Sequence, residues 1–233
     1  MVEDPHWRKY AEAGFDRSIA SIKISGMTIE TVGLQAFGNA ELTITVEEPS
    51  LVLAARGYLA TLANYIASGA ELTELQTVAC GSWLLEFRMN GYGKLEAWEF
   101  DRQAERIVFG ATFAISLWRS QLGVCEKLGV DFLPARMGDL VWLSSDVFES
   151  RSLIHGEREA FDGMSGWWLN SEDWDRDPKK FRKEHVAHVV SALPELARFL
   201  ALPSGYHFTV DRDGNVVELG FDAALASKMR PAT

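Results

Sequence analysis

The first half of the chain shows the two hydrophobic periods that distinguish strands from helices. Apolar and polar residues alternate from Leu42 to Val46, which predicts a strand. From Leu51 to Ala67 apolar residues recur at spacings of three and four, which predicts a helix that Gly69 ends. The same spacing predicts a second helix from Thr112 to Leu128. Further strands are predicted at 19–24, 28–34, 75–79, 83–89 and 94–100.

The second half alternates less regularly but contains both kinds of element. A helix is predicted from Pro194 to Leu200, because proline is favoured in the first turn of a helix. Asp213-Gly214 predicts a hairpin turn between strands at 206–210 and 216–219. Shorter apolar segments predict strands at 139–144, 153–158 and 166–169.

Together these elements predict an α+β protein with two lobes, residues 1–135 and 136–233. Each lobe is expected to hold a mostly antiparallel sheet with one or two packed helices. Asn90-Gly91 and Asp213-Gly214, the two strong hairpin signals, place one antiparallel pair in each lobe.

The charge balance narrows the classes of partner. The chain has 33 acidic and 23 basic residues, a formal net charge of −10. This disfavours a broad basic face for nucleic acid and electrostatic docking on an anionic membrane. The N-terminus lacks the apolar segment of a signal peptide, and no stretch approaches the length of a membrane span. We therefore expect a cytoplasmic protein with neither a nucleic-acid nor a membrane partner.

Motifs for catalysis or metal binding are weak. The chain has no Gly-x-Ser-x-Gly elbow and no glycine-rich phosphate loop, and Cys80 and Cys125 are interpreted as buried free thiols. His185 and His188 could form a metal pair on a helix, but the surrounding valines are equally compatible with a strand, which would separate the rings. We predict no catalytic residue, no metal site and no cofactor.

One polar segment differs from the rest of the chain. Glu172, Asp173, Asp175 and Asp177 surround Trp174, and four basic residues follow within 179–183. This segment could be a solvated loop. Alternatively, an aromatic anchor ringed by carboxylates could capture a basic patch on another protein.

Residues 139–210 resemble the bacterial immunity protein 33 family, the antidotes of polymorphic-toxin systems. Arg158-Glu159, the following Ser165-Gly166-Trp167 and the acidic turn around Trp174 are its most diagnostic elements here. The resemblance also includes Ser144-Ser145, Gly156–Glu159, Asp162–Trp168, Pro194–Leu200 and Gly205–Phe208.

The resemblance implies a non-catalytic protein that binds one cognate toxin and blocks it. The acidic surface would suit a basic toxin, since complementary charge speeds association. The predicted partner-binding residues are Glu157, Glu159, Asp162, Glu172, Asp173, Trp174, Asp175 and Asp177.

Two alternatives remain from the residues alone. The chain could be an adaptor that uses the same acidic surface without protecting cells. It could also be an enzyme or a small-molecule binder with a cleft between the lobes, lined by Trp83, Trp98, Trp118 or Trp142.

Overall fold

The computed structural model describes residues 21–150, 152–160 and 164–227. They divide into two compact units, one that ends at Arg119 and one that begins at Ser120. Each unit contains one mostly antiparallel sheet and a few helices, so the predicted α+β class is confirmed. The units divide earlier in the chain than the lobe boundary that we place after residue 135, and that boundary stays a prediction.

The first unit is built on a seven-stranded sheet. Its strands are β1 (Ser21–Ser25), β2 (Thr28–Val32), β3 (Leu42–Thr45), β4 (Thr77–Cys80), β5 (Trp83–Met89), β6 (Leu95–Phe100) and β7 (Ile107–Phe109). The spatial order is β1-β2-β3-β6-β5-β4, and β7 pairs with β6 further along that strand than β3 does. Strands β3 and β6 run parallel, and the other pairs run antiparallel. Helix α1 (Val52–Ala67) packs on β2 and β3.

Helix α2 (Thr112–Leu128) begins at a buried carboxylate. The two oxygens of Glu99, at the end of β6, accept the backbone N–H groups of Phe113 and Ala114 at 3.0 and 2.6 Å. These N–H groups have no partner inside the helix, and the positive end of the helix dipole favours an anion there. Glu99 therefore fixes where the helix starts.

The second unit is built on a six-stranded sheet. Its strands are β8 (Leu140–Ser144), β9 (Ile154–Arg158), β10 (Trp167–Ser171), β11 (Phe181–His185), β12 (Tyr206–Val210) and β13 (Val216–Phe221). The spatial order is β11-β8-β10-β9-β12-β13, with β8 and β10 parallel. Its shorter helices are α3 (Val186–Ala192), α4 (Pro194–Ala197) and α5 (Ala223–Ser227).

The two faces of this second sheet differ in character. Successive side chains on a strand point to opposite faces. One face, the inner face, carries buried Trp167, Leu169 and Phe208, and Phe208 stacks on Phe199 with ring centroids 4.6 Å apart. The opposite face, the outer face, carries half-buried Trp142 and Trp168. The outer face is therefore the side of this sheet on which large aromatic side chains stay partly accessible.

Most predicted elements are present, and the differences have physical causes. Strand β5 and helix α2 have the predicted bounds. Strand β11 was not predicted because four of its five residues, in the sequence Phe-Arg-Lys-Glu-His, are charged or polar. It is an edge strand, where charged side chains block further pairing. Among the described helices, none has the length and apolar character that crossing a membrane requires.

Candidate partner-binding site

Four aromatic side chains form a continuous group on the outer face of the second sheet. Strand pairing sets Trp168 of β10 beside Trp142 of β8. Phe181 of β11 packs edge-on against Trp168, with ring centroids 5.3 Å apart. Trp174, in the turn after β10, also packs edge-on against Phe181, with ring centroids 4.8 Å apart. We call Trp142, Trp168, Phe181 and Trp174 the aromatic row.

One end of the aromatic row is covered by a cation. Lys183 pairs with Trp142 across β11 and β8, and its Nζ lies 4.8 Å from the centre of the Trp142 ring. Such a cation–π contact contributes about 0.5–1 kcal/mol at an exposed site. Lys183 is exposed, so this end of the aromatic row lies at the surface.

Polar residues continue the line of the aromatic row across the sheet. Glu157 of β9 lies opposite Trp168, and His207 of β12 lies opposite Glu157. Both side chains are half-buried on the outer face. Across the strands, the outer face therefore presents Lys183, then the aromatic rings, and then the carboxylate of Glu157 and the imidazole of His207.

A lysine of the same segment partly neutralises the negative charge of the acidic turn beside the aromatic row. Glu172, Asp173 and Asp175 are exposed, as the sequence suggests. However, Lys180 Nζ lies 2.6 Å from Asp175 Oδ2, and this hydrogen bond lowers the pKa of Asp175 below its usual value. Asp173 accepts the hydroxyl groups of Ser150 at 3.1 Å and of Ser152. The turn is thus an ordered, mixed-charge border of the outer face.

Trp174 is held by contacts within the chain. Besides packing on Phe181, its indole Nε1–H donates to the backbone carbonyl of Asp177 at 3.2 Å. The side chain is half-buried as a result. Trp174 therefore stabilises the turn and offers only its remaining exposed part to a partner.

Two residues of the predicted partner-binding set cannot be placed on an exposed surface. Glu159 is buried, with an exposed fraction of 0%. Asp162 lies outside the described residues. Of the set, Glu157 and Trp174 lie on the outer face or in contact with its aromatic row, and Glu172, Asp173, Asp175 and Asp177 lie in the turn.

Several residues that carry the family resemblance support the fold directly. Arg158 donates hydrogen bonds to the backbone carbonyls of Ser165, Leu133 and Leu202, which ties β9 to three other segments. Gly166 has a φ of +78°, and a Cβ there would lie well under 3.0 Å from the carbonyl oxygen of Glu159. These positions require arginine and glycine for structural reasons.

The candidates for chemistry are placed as follows. Cys80 and Cys125 are buried free thiols, as predicted, and burial raises the pKa of Cys125 to about 11. His185 ends β11, whereas His188 lies in α3 with its Nδ1 2.5 Å from Glu184 Oε1. Among the described residues, no group of three or more His, Cys, Asp or Glu side chains could hold a metal ion. Trp83, suggested for a cleft, is fully buried in the first unit.

The sequence did not assign Trp142, Phe181 and Lys183 to a partner-binding surface, and it named Trp142 only as a possible lining residue of a small-molecule cleft. Trp142 lies in an apolar run, Leu-Val-Trp-Leu, which has no alternation to show which side chain faces outward. Trp167-Trp168 does indicate that one indole of the pair faces away from the core. The parallel pairing of β8 with β10, which brings Trp142 and Trp168 together, has no local sequence signal.

Comparison with known proteins finds a family match for most of the second unit. Residues 120–219 match the model of the Imm33-like domain family, and the predicted resemblance to immunity protein 33 is confirmed for this C-terminal part. The match begins at Ser120, where the second compact unit also begins, and ends within β13. No curated protein and no solved structure matches the chain.

Proposed function

We propose that this chain is an immunity protein that binds a cognate toxin and neutralises it without catalysis. The family match over residues 120–219 carries the proposal, because it covers the whole second sheet apart from the end of β13. We assign the binding surface to the outer face of that sheet, including the aromatic row.

The aromatic row has the composition of an interface centre. Tryptophan side chains in the middle of an interface commonly supply most of its binding energy. Trp142 and Trp168 are half-buried and stacked, so they lose little conformational entropy on binding. Displacing Lys183 would open the Trp142 ring to a partner. The row is therefore a pre-organised apolar anchor.

Charge indicates where a basic toxin would lie. The acidic turn is offset by Lys179, Lys180 and the bases of β11, whereas Glu157, on the other side of the row, has neither lysine nor arginine as a cross-strand neighbour. The formal net charge of −10 favours rapid encounter with a cationic protein. We expect the basic patch of the toxin to lie over the Glu157 side of the outer face.

Growth rescue tests this function. The full chain is co-expressed with the toxin domain encoded beside it, in cells that the toxin kills. We expect protection and a complex that survives size-exclusion chromatography. An adaptor would bind without protecting, and the absence of both protection and complex with every neighbouring gene product would overturn the proposal.

A further inference from the structure

A cavity of about 280 Å³ opens on the outer face on the far side of Glu157 from the aromatic row. Residues of strands β9, β10, β12 and β13 and of helix α5 line this open cavity. Its main lining side chains are His155, Glu157, His207, Glu218, Asp222 and Leu225. This volume is slightly below the range of small-molecule sites, which starts near about 300 Å³, and therefore suits a single side chain.

Acidic side chains predominate among the charged residues that line the cavity, and the imidazoles of His155 and His207 are the basic groups there. Glu157, Glu218 and Asp222 contribute three carboxylates, and no lysine or arginine is among the lining residues. Glu157 is half-buried, and its carboxylate makes no hydrogen bond or ion pair within the described part of the chain. Taking a carboxylate out of water without a partner costs free energy, which a bound cation would recover.

The two imidazoles are fixed in place. The Nδ1 of His155 lies 2.9 Å from Thr209 Oγ1. His207 lies over Gly220, where a Cβ would come within 2.7 Å of its Nε2, and the same Nε2 is 3.6 Å from Glu218 Oε1. Glycine at 220 thus leaves room for a planar ring in the cavity.

We infer that this cavity binds the guanidinium group of an arginine side chain on the toxin, which deepens the proposed function and rests on it. A guanidinium is planar, so it can stack on a flat ring such as that of His207. Its five N–H donors also form paired hydrogen bonds with carboxylates. Glu157 is free to accept such bonds, and Asp222 keeps one oxygen beyond the one that accepts the Ala224 N–H at 2.7 Å. Seated here, the arginine would lie beside a partner surface that packs on the aromatic row.

The test uses the full chain and two matched probes. Nα-acetyl-L-arginine amide carries only the side-chain charge, and Nα-acetyl-L-citrulline amide has nearly the same shape without charge. Each is titrated while NMR follows the imidazole signals of His155 and His207, assigned with His155→Gln and His207→Gln variants. We expect the arginine probe to shift both signals saturably and to bind at least tenfold more tightly than the citrulline probe.

Variants locate the binding. Glu157→Gln and Glu218→Gln are each expected to weaken binding of the arginine probe at least fivefold. Glu149→Gln, which removes an exposed carboxylate of the same unit outside the cavity, should leave binding unchanged. Equal binding of both probes, or equal effects of all three variants, would overturn the inference.

The outcomes separate this inference from the function. If the chain protects cells but the arginine probe does not bind, the cavity inference fails and the immunity function holds. If the probe binds as expected but the chain neither protects nor forms a complex, the function fails and the cavity is still a guanidinium site.

Discussion

The indole of Trp142 stacks on the indole of Trp168, with ring centroids 5.1 Å apart and planes inclined by 11°. The two residues are in register on neighbouring parallel strands, so the sheet itself sets the stack. Trp168 in turn contacts Phe181, and Phe181 contacts Trp174. One strand pairing thus joins the sheet face to the acidic turn.

Replacing Trp174 with alanine should destabilise the second unit by about 1–3 kcal/mol. The substitution removes an edge-on aromatic pair, worth about 0.5–1.5 kcal/mol, and one hydrogen bond worth about 1 kcal/mol. Urea unfolding followed by circular dichroism measures the change. Trp174→Phe keeps the ring contact and should recover part of the lost stability. If Trp174→Ala and Trp174→Phe are both as stable as wild type, the turn does not depend on this side chain.

Gly156 should not tolerate even alanine. A Cβ at this position would lie within 3.0 Å of three carbons of the Phe208 ring, which is itself stacked on Phe199 in the core. Overpacking of this kind costs about 1–3 kcal/mol. Gly91→Ala is the matched control, because nothing lies within 4 Å of a Cβ there. Thermal unfolding should show a lower Tm for Gly156→Ala alone, and an unchanged Tm would mean that Phe208 can move aside.

Glu99 predicts a pH dependence of stability in the first unit. Burial raises the pKa of Glu99 above its ordinary value of 4.5, although backbone N–H groups of α2 act in the opposite direction. A raised pKa in the folded state gives stability that is present below pH 4.5 and is lost as the pH rises through the folded pKa. A glutamine side chain resembles protonated glutamate and does not ionise. A Glu99→Gln variant therefore does not lose this stability as the pH rises.

The free energy of unfolding of wild type minus that of Glu99→Gln should therefore fall as the pH rises from 4 to 8, by at most about 1.4 kcal/mol per pH unit. Urea unfolding of both proteins across this range measures the difference. A difference that grows with pH would mean that the helix N-terminus outweighs burial and lowers the pKa.

Both cysteines should be unreactive until the chain unfolds. Burial raises the pKa of the Cys125 thiol to about 11 and that of the Cys80 thiol well above 9.0. Since the thiolate is the reacting form, labelling by a disulfide reagent at pH 8 should be at least about a hundredfold slower in the native protein than in urea. Rapid labelling of one thiol in the native protein would show that its surroundings open.

The sequence predicted elements better than the site because the two depend on different information. Alternation and Asn-Gly or Asp-Gly turns are local, and they predicted β3, β5 and the hairpin of β12 and β13. The pairing of β8 with β10 joins segments that are distant in the chain, so no local pattern reveals that Trp142 and Trp168 stack.

The charge that the acidic turn presents could not be predicted from the sequence either. Counting carboxylates in sequence does not show that Lys180 pairs with Asp175, or that Trp174 is held by Phe181 and Asp177. Glu159 follows β9 directly and reads as a surface acid, yet the fold buries it completely. Glu157, two residues earlier, is the one that reaches the outer face beside Trp168.

The central claim is that the outer face of the second sheet binds the toxin, and calorimetry of two matched variants tests it most directly. Trp142→Ala removes an indole of the aromatic row, and Trp98→Ala removes one in the first unit that likewise lies under a cation, Arg88, at 4.6 Å. We expect Trp142→Ala to weaken toxin binding by at least about 2 kcal/mol, roughly thirtyfold in Kd, and Trp98→Ala to bind like wild type. Wild-type affinity for folded Trp142→Ala, or an equal loss for Trp98→Ala, would contradict the account.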